Sequence, residues 1–215
     1  MIYKQIKQNI NKMEIDNVIQ NIKEMLVERG ENIDEFSEHE QDIDREEFYN
    51  DDKVIEFHTN NSTIIFALTK TLRVSIIDLL KKNKSNIDNF VNSYNGKYNI
   101  ILIFNNDILT TPTIAQLNII DKILQKKKGM LQFFQIKELQ FNPMRHELVP
   151  PHRKLSSDEA TEIMQTYLIK SKLQLPLILK NDVIAKWLGV KQGEIIEITR
   201  YENSSGKSYY YRCCI

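Results

Sequence analysis

His146-Glu147-Leu148-Val149-Pro150-Pro151-His152 divides this chain and decides how the rest of it is read. Two consecutive prolines fix φ near −65° and remove two backbone donors. The run therefore predicts a rigid, extended connector, with a Leu-Val pair and a histidine at each end offered to a binding surface. Just upstream, Asn142-Pro143 interrupts the periodic pattern. The expected boundary follows: an N-terminal domain over residues 1–142 and a C-terminal module over 143–215.

C-terminal to the connector, Ser156-Ser157-Asp158-Glu159 is a capping box, in which the serine oxygen and the Glu159 carboxylate satisfy each other's backbone N–H. The helix it opens carries Ala160, Ile163, Met164, Tyr167 and Leu168 on one stripe. Gln174-Leu175-Pro176 stops the helical pattern. Asp182 caps a short helix expected to bury Val183, Ile184, Trp187 and Leu188, ended by Gly189. Residues 194–200 and 208–213 alternate as a hairpin across Asn203-Ser204-Ser205-Gly206.

N-terminal to the boundary, Ile6, Ile10, Met13, Val18, Ile22, Met25 and Leu26 recur at helical intervals, with Gly30 in the position of a left-handed cap. Eleven acids against Arg45 alone occupy residues 31–52. That stretch predicts a solvated loop, pinned by Phe36, Ile43, Phe48 and Tyr49. Residues 53–58 alternate as a strand, whereas Thr63 to Leu68 reads as a strand buried on both faces. Residues 71–82 suit strand and helix alike. A helix from Ser85 carries Ile87, Phe90, Val91 and Tyr94 and ends near Gly96. Tyr98 to Phe104 is a second apolar strand. A further helix starts at Thr113, with Ile114, Leu117, Ile120 and Leu124 on one face and Gly129 at its end, and Leu131 to Phe134 adds a strand. The fold class is α/β: an N-terminal layered domain with a central sheet, then a small α+β module of capped helix, short helix and hairpin.

Composition excludes several functions. Lys plus Arg equal Asp plus Glu at 29 each, so the excess positive charge of a dedicated nucleic-acid binder is missing. Lys126-Lys127-Lys128 suffices for a few phosphate contacts, which makes any DNA contact weak and salt-sensitive. The two cysteines are neighbours, Cys213 and Cys214, and supply no disulfide framework. No apolar run approaches bilayer length and no signal-peptide core opens the chain, so an intracellular protein without membrane association is expected.

Catalytic chemistry has little to build on. No glycine-rich elbow precedes a serine, and the six glycines are scattered, which leaves no phosphate cradle. Cys213-Cys214 with His146 and His152 lack the two-to-four-residue cysteine spacing of structural zinc sites. Asp51, Asp52 and Glu56 stand where metal-dependent nucleases of α/β layering keep carboxylates, but the next strand lacks the matching Glu-x-Lys. Tyr209-Tyr210-Tyr211-Arg212 suits base stacking, or simply a strand that alternates its rings. No cofactor, metal or catalytic residue is expected. A nuclease and a free-standing transcription cofactor remain the alternatives.

The groupings from His146 to the end, in this order and spacing, resemble the C-terminal module of one family. It is the fifth-largest subunit shared by eukaryotic nuclear RNA polymerases I, II and III, which has a shorter archaeal counterpart. Ile22-Lys23-Glu24-Met25, Arg29-Gly30, Ile101 to Phe104 and Thr111-Pro112-Thr113 extend the likeness to the N-terminal part. The resemblance implies a non-catalytic subunit of DNA-dependent RNA polymerase that partners the largest subunit and other subunits, with a lower jaw beside downstream duplex DNA. His146, Glu147, Leu148, Val149, Pro150 and His152 would be the docking connector. Gln174, Leu175 and Pro176 would set the turn, and Arg200, Gly206, Tyr211 and Arg212 the hairpin. Thr111, Pro112 and Thr113 would be the turn nearest DNA. Asp182-Val183 departs from the family's Asp-Pro, so a looser helix start is expected. The Ile/Asn/Lys bias suits a large DNA virus or an AT-rich protist. The nucleus is the expected location if the source is cellular, a cytoplasmic factory or virion if viral.

Overall fold

The computed structural model describes residues 2–50, 54–81, 89, 99–105, 109–202 and 206–215; the side chains of residues 2–12, 79–81 and 202 lie outside that description. Two compact units result, Met1–Phe141 and Asn142–Ile215.

In the first unit, α1 (Ile2–Glu28) ends in a left-handed turn at Gly30, φ 77°. The Gly30 N–H donates to the Val27 carbonyl and the Glu31 N–H to that of Leu26, which satisfies the terminal carbonyls. The apolar stripe buries Ile15, Val18, Ile19, Ile22, Met25 and Leu26. Met13 is a correction, since it is exposed; Ile6 and Ile10 lie outside the described side chains.

The sheet is ordered β1 (Ile55–His58), β2 (Ser62–Ala67), β3 (Asn99–Phe104), β4 (Met130–Gln135), with β1 antiparallel and the others parallel. Every residue of β2 is buried, as its unbroken β-branched run predicts. Ile65, Ala67, Ile100, Leu102 and Leu131 share one face with residues of α3 (Lys70–Lys81) and α4 (Thr111–Lys126). Residues 71–82, which suited two assignments, thus belong almost wholly to a helix. The helix read from Ser85 to Gly96 lies outside the described residues, apart from Asn89.

Two details of α4 differ from the sequence reading. Thr111-Pro112-Thr113 is the first turn of this helix rather than a free turn, because a proline near a helix start forfeits only an N–H that has no intrahelical partner. At the other end the left-handed residue is Lys128, φ 62°, one position before Gly129. The Gly129 N–H donates to the Leu124 carbonyl and that of Lys128 to Gln125.

The acidic stretch is also corrected. It contains α2 (Asp34–Gln41) and a 3-10 turn, Arg45–Tyr49. Phe36 stacks on Phe57 at 4.3 Å and Phe48 meets Phe66 edge-on at 4.9 Å, burying both pins completely enough to order a segment otherwise rich in charge. Glu40 pairs with Lys23 and Arg45, and Arg45 reaches Asp16 at 2.7 Å.

The second unit is a four-stranded sheet ordered β5 (His152–Lys154), β7 (Ile195–Glu202), β8 (Gly206–Cys214), β6 (Leu177–Ile178). One face buries Ile178, Ile196, Ile198 and Cys214 against Ala185 and Val190; the other buries Leu155, Leu175, Ile195 and Cys213 against Ala160. The period of two sends the vicinal cysteines to opposite faces, and both are free thiols. Burial pushes the Cys214 thiol up to about 11, which makes it unreactive.

The capping box forms as read: the Glu159 N–H donates to Ser156 Oγ at 3.2 Å and the Ser156 N–H to Glu159 Oε2 at 2.8 Å. It opens α5 (Ser157–Thr166), shorter than the stripe suggested. Leu168 is 86% exposed and in the left-handed region, φ 54°, so it ends the helix instead of extending the buried stripe. Asp182 accepts from the Ile184 and Ala185 N–H groups at 2.9 and 3.4 Å, so α6 (Val183–Trp187) starts firmly without a proline. Val183, expected inside, is exposed, while Ala185 and Trp187 are buried.

A branched residue in the left-handed region costs about 1 kcal/mol or more, and Leu168 gains little packing in return. Leu168→Gly is expected to raise the thermal midpoint by several degrees. A midpoint that stays or falls in calorimetry contradicts this account of the helix end.

Candidate docking surface of the C-terminal unit

The run from His146 to His152 folds differently from the extended connector it suggests. Pro143–Arg145 forms a 3-10 turn, and a second turn follows at once. The Val149 N–H donates to the His146 carbonyl at 2.9 Å and the Leu148 N–H to His146 Nδ1 at 3.2 Å. Glu147 and Leu148 therefore stand at the tip of a hydrogen-bonded turn, with Leu148 84% exposed. The prolines restrict the chain only after this turn, and His152 begins β5.

His152 is half-buried. Its Nδ1 lies 2.5 Å from the Pro150 carbonyl, which can only accept, so Nδ1 carries the hydrogen and Nε2 remains available. Burial holds the imidazole below its usual pKa. The Pro150 carbonyl works against that shift, Arg212 adds to it, Asp182 opposes it and Arg200 adds to it. In the strand register His152 faces Ile198, and Ile198 faces Tyr210. Arg200 and Arg212 lie two residues along from Ile198 and Tyr210, so all these side chains share one face. Arg200 stacks over the Tyr210 ring at 4.5 Å.

The opposite face is closed upon itself. Arg153 bonds Glu159 at 2.5 Å and Glu197 at 3.1 Å, tying β5 to α5 and β7. Tyr211 lies on this side beside Tyr167, and burial together with the Glu197 carboxylate pushes its phenol up to about 12. Gln174 accepts from the Lys170 and Ser171 N–H groups, Leu175 is buried, and the Pro176 carbonyl takes the Cys213 N–H. These three shape the turn before β6. Gly206 carries φ 71° at the start of β8, a conformation that a side chain would strain; Asn203-Ser204-Ser205 lies outside the described residues.

Other candidates are dispersed. Thr111 and Pro112 are exposed in the first turn of α4, with Thr113 partly covered. Glu56 is on β1, and Asp51 and Asp52 lie outside the described residues. Among the described residues no group of three His, Cys, Asp or Glu gathers to hold a metal, and no helix is long and apolar enough to cross a membrane. The sequence reading missed Tyr167, Leu168 and Leu173 as exposed apolar groups. An apolar stripe gives no signal of where its helix stops.

A sequence profile described as RNA polymerase Rpb5, C-terminal domain, matches residues 141–214. A Dictyostelium discoideum protein named DNA-directed RNA polymerases I, II, and III subunit rpabc1 is 36% identical over 91 residues, 42% of this chain and 46% of that protein. DNA-directed RNA polymerase subunit Rpo5 of Sulfurisphaera tokodaii is 45% identical over 78 residues, 36% of this chain and 92% of the archaeal subunit. The chain belongs to the Rpb5/Rpo5 family of DNA-directed RNA polymerase subunits. The Pyrococcus horikoshii Rpo5 is similar at 43% over 76 residues, again 92% of its length. The match thus spans nearly the whole of the archaeal subunits and under half of the amoebal relative. The Rpb5-type region coincides with the second compact unit.

Because the folded state lowers the His152 pKa below 6.5, the neutral ring is favoured in the native protein. Its contribution is present above that value and is lost as pH falls through it toward the depressed one. The thermal midpoint should drop between about pH 7 and pH 5, and His152→Asn, which keeps a donor for Pro150, should flatten the drop. Identical slopes for the two proteins contradict the assignment.

Proposed function

We propose that this chain is a non-catalytic structural subunit of a multisubunit RNA polymerase. Residues 143–215 serve as its assembly module and residues 1–142 as a jaw-like domain beside downstream duplex DNA. The docking partner in this reading is the largest subunit, engaged by the His146–Val149 turn, Pro150, His152, Arg212 and the outer hairpin with Arg200. Gln174, Leu175, Pro176, Gly206 and Tyr211 give that surface its shape.

One observation carries the reading. Leu148 is held outward by two hydrogen bonds on its turn, although the unit has a complete core without it. An apolar side chain fixed in water gains its free energy when a partner covers it, and such preorganised anchors dominate protein interfaces. Its neighbour Glu147 adds a charge that sets register. Nucleotidyl transfer falls to other chains, and this one lends surface. For the jaw, Thr111, Pro112 and Thr113 are the proposed DNA-side residues, with a contact that is weak, non-specific and lost at moderate salt. In a cell with a nucleus the complex would act there.

Glu147→Ala with Leu148→Ala is expected to lower retention in the purified polymerase by tenfold or more, a loss of at least about 1.4 kcal/mol, while leaving the thermal midpoint of the free chain unchanged. Retention equal to the unaltered subunit contradicts the docking role.

A further inference from the structure

The two faces of the β7–β8 hairpin treat their cations differently. On one, Arg153 has two carboxylates. On the other, Lys154 approaches Glu194 at 3.5 Å, whereas Arg212, in the same row across Ile196, and Arg200 further out have no such partner among the described residues. Arg212 is partly buried, and among the described residues its guanidinium makes no hydrogen bond or ion pair. Arg200 has a ring beneath it and no described carboxylate beside it. Asp182 is the acidic group bearing on His152, and its Oδ1 accepts two N–H groups at the start of α6.

Three cationic or protonatable groups therefore line one face, His152 beside Ile198 with Arg212 and Arg200 flanking that row on either side. A guanidinium presents five N–H groups in a planar fork, and the partial burial of Arg212, unlike exposed Arg200, leaves water a poor substitute for a fixed anion. Tyr210 supplies an apolar wall and holds the Arg200 plane, so the fork is partly ordered before a ligand arrives. Because Pro150 binds Nδ1, the Nε2 of His152 is left as acceptor or, once protonated, as a further donor.

We propose that His152, Arg200 and Arg212 form a receptor for a carboxylate-bearing segment of the polymerase subunit on which this module docks. This rests on the docking reading and names the chemistry of its partner: an extended stretch with an Asp or Glu that Arg212 grips bidentately. Leu148 supplies apolar anchoring, and this cluster supplies register and selectivity.

The test is reconstitution of the polymerase with this subunit omitted, followed by titration of the full chain as Arg212→Gln, Arg212→Lys, Arg200→Gln and Leu148→Ala. Arg212→Gln should weaken binding at least tenfold, and Arg212→Lys should restore only part of the loss, because a lysine cannot form the fork. Both arginine-to-glutamine variants should bind with a flatter dependence on salt than the unaltered chain. An unchanged thermal midpoint confirms that they fold. If Leu148→Ala weakens binding while the arginine variants match the original chain, the receptor is disproved and the docking surface stands. If the original chain fails to bind, the docking reading falls and takes the receptor with it. Loss of duplex-DNA affinity in Arg212→Gln, with assembly intact, assigns the cluster to nucleic acid and overturns the proposal.

Discussion

The register between β7 and β8 is the constraint on which the C-terminal unit depends. Ile195 faces Cys213, Ile196 faces Arg212, and the pairing runs unbroken to Glu202 opposite Gly206. Since strand side chains alternate faces, this register sends Ile196, Ile198 and Cys214 toward Ala185 and Val190, and Ile195 and Cys213 toward Ala160 and Leu175. A slip of one residue would exchange the two sets and put Glu197 in the place of an isoleucine. The same alternation sets Arg212, His152 and Arg200 on successive rows of one face. Core and candidate surface are thus products of one pairing.

That economy explains how about 74 residues support a stable unit near the lower size limit for an independent core. The sheet is covered on both faces, by α5 on one side and the α6 region on the other. The outer hairpin, beyond Ile198, has neither cover. Tyr201, Tyr209 and Tyr210 stand exposed there, each adding apolar surface that folding leaves in water. In the N-terminal unit the logic differs: β2 and β3 pack on α3 and α4 with one face, and on the other Phe66 of β2 meets Phe48 and Phe57. Arg29, in the turn just after α1, has its pKa lowered to about 10 by burial, bonds Gln132 of β4 at 2.8 Å and fastens the end of the helix to the sheet.

The sequence disclosed most where a pattern had one physical solution. The β-branched run at 63–68, the Ser156/Glu159 box, the Asp182 cap and the alternation from Ile195 each admit a single local structure. It disclosed less where tertiary contacts choose. The acidic stretch gained a helix because two phenylalanines outweigh the local charge. The proline run became a turn because His146 offers both a carbonyl and a ring nitrogen to the residues after it. Leu168 carries an apolar label yet lies outside, since its helix stops one turn sooner. At the candidate surface, His152, Arg200 and Arg212 were each singled out, but their convergence depends on strand register, which no single residue announces. Leu175 and Tyr211 proved to be interior supports of the surface.

If the C-terminal unit docks as proposed, the His146–Val149 turn and the outer β7–β8 face are covered in the assembled polymerase. Amide hydrogen exchange of the full chain, alone and within the complex, tests this most directly. Slowed exchange confined to the 146–149 turn, β5 and the outer halves of β7 and β8 is the predicted result, with the α4 helix core unchanged. Equal exchange at these amides in both states would contradict the account.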